Sequence, residues 1–69
     1  MNEEICVRFG EKLRNTRLEL GYSQEELSFK TGLHRTYISS VERGKRNISI
    51  TNIKKLADAL DLKMQDLVP

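Results

Sequence analysis

Residues 23–49 read SQEELSFKTGLHRTYISSVERGKRNIS, and they form two short helical segments on either side of Gly32. Ser23 and Glu26, three residues apart, make a capping box. The hydroxyl accepts from the Glu26 N–H, and the carboxylate reaches back to the Ser23 N–H. A helix is therefore predicted over 24–31, with Leu27 as its main core residue. Gly32 ends it, because a residue without Cβ enters positive φ freely. A second helix follows over 34–43, with Leu33, Ile38 and Val41 inward and Gly44 as its stop. Two helices of this length around a glycine turn form a helix-turn-helix. The second carries Arg35, Thr36, Ser39 and Ser40 opposite its apolar residues, a row of hydrogen-bonding groups that no core requires.

Upstream, a first helix is expected over 4–20, where Phe9, Leu13, Thr16 and Leu20 are spaced 4, 3 and 4 apart and draw one stripe. Downstream, Ser49 caps a fourth helix over 50–60, with Ile53, Leu56, Ala57 and Leu60 inward, and a turn around KMQDLV makes a short fifth. No stretch alternates apolar and polar residues, and no proline precedes Pro69. The expectation is a single all-α domain over 1–69, built from five helices.

The chain has 69 residues, 38% hydrophobic and 32% charged, which suits a small folded helical domain. A chain of this size buries only ~60% of its unfolded surface, so its core is marginal and association is a common remedy. There is no apolar run long enough to span a membrane and no signal-peptide pattern. The single Cys6 cannot form an internal disulfide, which favours a cytoplasmic setting with Cys6 as a small apolar residue. One Cys and one His also cannot build a zinc site. Charge is segregated. Residues 30–55 carry seven basic side chains and one acid, a balance of +6, while the remainder stands at −4, giving the net +2. A polyanionic partner explains this pattern, and a solvated basic face remains the alternative.

The stretch GYSQEELSFKTGLHRTYISSVERGKRNISITNIKKLADALDL resembles the DNA-binding domain of the lambda-repressor and Cro-like (XRE-type) family, and the likeness extends over residues 8 to about 67. Within it, the HRTYIS and ERGKRNIS segments are similar to controller proteins of restriction–modification systems. The resemblance implies a five-helix DNA-binding fold. It also implies a Gln24 side chain on a DNA phosphate, an ion pair of Arg17 with Glu42 that orients the recognition helix, and a dimer on double-stranded DNA.

Residue chemistry adds its own assignments. In a docked helix-turn-helix the first turn of the second helix points at base edges in the major groove. Arg35 can bond guanine in bidentate fashion, Thr36 can meet a thymine methyl or an acceptor, and Ser39 and Ser40 read less selectively. Gln24 stands at a helix N-terminus, which suits a phosphate. Arg43, Lys45, Arg46 and Asn47 are expected on the DNA backbone, with a minor-groove role open for Arg46. Tyr37 can pack its ring while its hydroxyl reaches a phosphate. His34 stands at a cap position that it fills poorly, and Phe29 falls on the outside of its helix. Met64, Leu67 and Val68 form the candidate dimer patch, although Leu67 can equally close the monomer's own core.

These features predict a sequence-specific regulator that binds a palindromic operator and blocks or recruits RNA polymerase. No cofactor, metal, small-molecule ligand or membrane is expected to take part. Catalysis is rejected, because His34, Ser39 and Ser40 are spread around one helix with no orienting acid. Two other readings stay open: an antitoxin-like or adaptor module that binds protein, and the N-terminal head of a longer chain.

Overall fold

The computed structural model describes residues 3–69. Its elements are α1 (Glu4–Glu19), α2 (Gln24–Thr31), α3 (Arg35–Glu42), α4 (Ile50–Ala59) and a 3₁₀ turn at Met64–Asp66. Among the described residues there is no strand, and the fold class is all-α. The expected fifth helix is corrected to this three-residue turn. The Leu67 and Val68 N–H groups both donate to Met64 O, at 3.0 and 3.2 Å, so the chain folds back at once and drops Leu67 into the core.

α1 buries Cys6, Phe9, Gly10, Leu13 and Arg17, a helical stripe that continues from Leu13 to Arg17 rather than to Leu20. Leu20, expected inward, is the C-cap and stands 47% exposed. An arginine occupies the inward position of the last turn because a carboxylate on α3 waits for it. Leu27 of α2, Ile38 and Val41 of α3, Leu56, Ala57 and Leu60 at α4, and Leu67 complete the core with Phe9 and Leu13. α1 packs against α3, and α2 lies against both α3 and α4.

One contact sets how closely α1 approaches α3. A Cβ placed on Gly10 would lie 2.3 Å from Val41 O and 2.7 Å from Glu42 O. The two helices therefore meet backbone to backbone, a closeness that only glycine permits.

The turn between α2 and α3 is stitched by side chains. Gly32 takes φ 77° as the α2 cap. Thr31 Oγ1 donates to Leu27 O at 2.8 Å and accepts from the Leu33 N–H at 3.1 Å. At the other end of α2 the capping box is formed, with Glu26 N–H to Ser23 Oγ at 2.9 Å and Ser23 N–H to Glu26 Oε1 at 2.8 Å. Ser23→Ala should lower stability by about 1 kcal/mol, a drop in the thermal transition of roughly 4–8 °C. The bonds from the Ser23 backbone and hydroxyl hold the Glu26 carboxyl below its ordinary range. Because this folded pKa is depressed, the contribution is complete at neutral pH and is lost as pH falls through the lowered value. Glu26→Gln keeps the geometry without the titration, so it should flatten that step in an acid melt series.

Candidate nucleic-acid interface

On α3, inward Ile38, Val41 and Glu42 leave Thr36 and Arg43 facing outward, flanked by Ser39 and Ser40. Arg35 and Thr36 are exposed, and the two serines are half-buried. Arg43 Nη1 donates to Ser39 Oγ at 2.9 Å, one helical turn away, so the Ser39 hydroxyl already serves as an acceptor. His34 makes no side-chain cap. The first N–H groups of α3 are therefore open to an outside acceptor, and the positive end of the helix dipole favours an anionic one.

One edge of this face is built on charge. Arg17 Nε donates to Glu42 Oε2 at 2.7 Å and Nη2 to Oε1 at 3.0 Å, while Nη1 donates to Tyr22 O at 2.8 Å. The pair is buried, with 6% of Arg17 and 7% of Glu42 exposed. Hydrogen bonding to Glu42 raises the Arg17 pKa above its ordinary value despite the opposing effect of burial. Gln24 Nε2 donates to Glu42 Oε1 at 3.0 Å. That bond uses one amide hydrogen and leaves the other available, so Gln24 is tied into the pair and can still donate outward. Arg35 borders the same cleft as Gln24.

The opposite edge is formed by the loop after α3 and by α4. The Arg46 guanidinium lies 5.3 Å from the centroid of the Tyr37 ring. Tyr37 Oη accepts from Asn52 Nδ2 at 3.0 Å. Lys45, Arg46 and Asn47 are exposed. Asn47 is anchored from behind, since Cys6 Sγ donates to its Oδ1 at 3.0 Å. Gly44 rests against Val7, where an added Cβ would lie 2.8 Å from the Val7 Cα. Cys6 is therefore both the small buried residue expected and a donor that pins the loop to α1.

The candidate dimer patch needs a correction. Leu67 has no exposed surface and closes the monomer's own core, so it cannot touch a partner. Met64 is half-buried against that core, and Val68 is 42% exposed. Phe29 projects from α2 at 91% exposure. Asn52, Cys6 and Gly10 were not anticipated as contributors. Only Gly10 left a trace in the sequence, since glycine inside a helix costs about 1 kcal/mol relative to alanine and asks for a packing reason.

The profile of the HTH_3 helix-turn-helix family matches residues 13–67. The chain belongs to that family. Among HTH_3-related proteins it is similar to the control protein C.BamHI of Bacillus amyloliquefaciens, at 48% identity over 69 residues, covering 99% of this chain and 85% of that one. The crystal structure of the restriction–modification controller C.AhdI from Aeromonas hydrophila superposes with a TM-score of 0.92 at 49% identity, covering 94% of this chain and 98% of that chain. A third relative, the controller C.Esp1396I, matches with a TM-score of 0.83 at 33% identity, covering 88% of this chain and 80% of that chain. It was crystallised as a tetramer on its natural 35 base-pair operator. Among the described residues of this HTH_3 chain, no helix is long and apolar enough to cross a membrane.

Proposed function

We propose that this protein is a sequence-specific DNA-binding transcription regulator, not an enzyme, and that it controls expression in a restriction–modification system. The polar outer face of α3 carries the reading, because the buried pair of Arg17 and Glu42 holds that face outward and open. Arg35 and Thr36 meet base edges from the exposed first turn, and Ser39 and Ser40 add contacts further along the major groove. Gln24 on one edge, with Tyr37, Arg43, Lys45, Arg46 and Asn47 on the other, takes the sugar–phosphate backbone. A homodimer on a palindromic operator supplies two such faces, with half-sites ~10 bp apart. Met64 and Val68, whose side chains retain surface, contribute to the dimer contact. Double-stranded DNA in the cytoplasm is the partner, and RNA polymerase is met at the promoter.

Selection from random duplexes at ~150 mM salt tests this directly, because weak phosphate-only binding is suppressed there. A palindromic consensus is the expected outcome. Enrichment of nothing by folded protein would turn attention to exposed Phe29 as part of a protein-docking face. Against the selected site, Arg35→Ala should lose ~1–3 kcal/mol and relax one base pair per half-site. A uniform loss across all sequences would remove Arg35 from the base readers.

A further inference from the structure

Between the start of α3, the loop after it and α4 lies an open cleft of about 350 Å³ that Thr36, Tyr37, Arg46 and Asn52 help to line. Among the described residues, no acidic side chain borders it. What it collects is donors. The uncapped first turn of α3 supplies N–H groups, and Arg46, stacked over the Tyr37 ring, supplies a guanidinium. The Tyr37 hydroxyl is the group whose direction is set. A phenol oxygen can accept and donate, and here Asn52 Nδ2 donates into it. The phenol proton must then point away from Asn52, and among the described residues no acceptor receives it.

Asn52 is itself held firmly. Its backbone N–H is the one that Ser49 Oγ caps at 3.1 Å, so the side chain leaves α4 from a fixed first turn. Tyr37 is half-buried and fixed on both sides, by Asn52 at its oxygen and by Arg46 over its ring. A fixed O–H aimed into a cleft of donors suits an anionic oxygen with no proton of its own to give. A bridging phosphodiester has that chemistry.

We propose that Asn52 is a positioning residue: by donating to Tyr37 Oη it turns the phenol proton onto one backbone phosphate of bound DNA, and Arg46 completes the seat. The inference rests on the DNA-binding reading and deepens it, since Asn52 acts through Tyr37 without touching DNA. Tyr37→Phe should weaken operator binding about 10- to 150-fold, the range for one hydrogen bond to a charged group. Asn52→Ala should weaken it by a comparable or smaller factor. The double variant should bind no worse than Tyr37→Phe alone, because Asn52 has no effect left to exert once the hydroxyl is gone. Asn52→Asp inverts the bond, since a carboxylate accepts the phenol proton, and should bind less well than Asn52→Ala.

The experiment is a double-mutant cycle on the selected duplex, combined with methylphosphonate replacement of each backbone phosphate in turn. The wild type should lose affinity sharply at one phosphate per half-site, and Asn52→Ala and Tyr37→Phe should both lose less at that phosphate, where only Arg46 then holds its full contact. Thermal melts of each variant separate this from mere loss of folding, which would weaken binding without lowering the sensitivity of one position of the phosphate scan. Additive losses in the double variant would overturn the inference, as would a scan unchanged by Asn52→Ala. If inorganic phosphate competes only through ionic strength, matched by chloride, the seat belongs to the DNA backbone; specific displacement by phosphate would overturn that assignment. Failure to select any duplex would instead remove the DNA-binding reading itself, so the two failures are distinguishable.

Discussion

Glu42→Ala should remove about 3–5 kcal/mol of stability, the scale found when one partner of a buried ion pair is deleted. The whole domain has only about 3–10 kcal/mol to lose at this length. Most of the loss comes from what remains behind. Arg17, 6% exposed, keeps its bond to Tyr22 O but loses both carboxylate contacts, at 2.7 and 3.0 Å. A guanidinium is not deprotonated at any pH where the protein folds, so Arg17 cannot escape by shedding its charge. Gln24 loses its acceptor at the same time. Replacing both partners, as Arg17→Met with Glu42→Leu, strands no charge and should recover most of the stability in urea unfolding. Operator specificity should not return with it, because nothing then fixes Gln24 and α3 relative to each other. A double variant less stable than Glu42→Ala would show that the pair's attraction, rather than the stranded cation, supplied the energy.

Gly10→Ala should be almost as damaging, although alanine is the better helix former by about 1 kcal/mol. The new methyl would sit 2.3 Å from Val41 O and 2.7 Å from Glu42 O, and both obstacles are backbone. No rotamer change relieves that, so α1 and α3 must separate by about 1 Å to reach ordinary contact, in a core packed tightly enough to feel one methylene. Overpacking costs ~1–3 kcal/mol and more where the surroundings cannot yield. A net loss of about 3 kcal/mol, or roughly 12–24 °C in the thermal transition, is expected. An unchanged or higher melting temperature would refute the backbone contact.

The two mutations also mark the boundary of what a sequence can disclose. Local devices were legible: Ser23 with Glu26, Gly32 in its turn and Ser49 at its cap each act within a few residues, and each stands where the spacing puts it. The outward row on α3 was legible for the same reason, because one helix's periodicity sorts its own faces. Leu20 was misplaced, and Leu67 stayed open between the core and a dimer patch, because exposure at a helix end depends on which neighbour arrives there, and periodicity does not name the neighbour. Asn52 meeting Tyr37 and Cys6 meeting Asn47 join residues 15 and 41 positions apart, pairings that exist only once the helices pack. Gly10 is the same kind of case, since its partner atoms are main-chain oxygens with no side-chain signature.

α3 is eight residues long. Helices of that length are not stable alone in water, so this one exists only while α1 and α2 pack against it. It has no private melting event, and the DNA-competent shape is lost only when the whole molecule opens. Alleles that weaken the core should therefore change how much regulator a cell retains, through proteolysis of the opened chain, more than how each surviving molecule grips its operator. A controller of this build would keep time by its own lifetime.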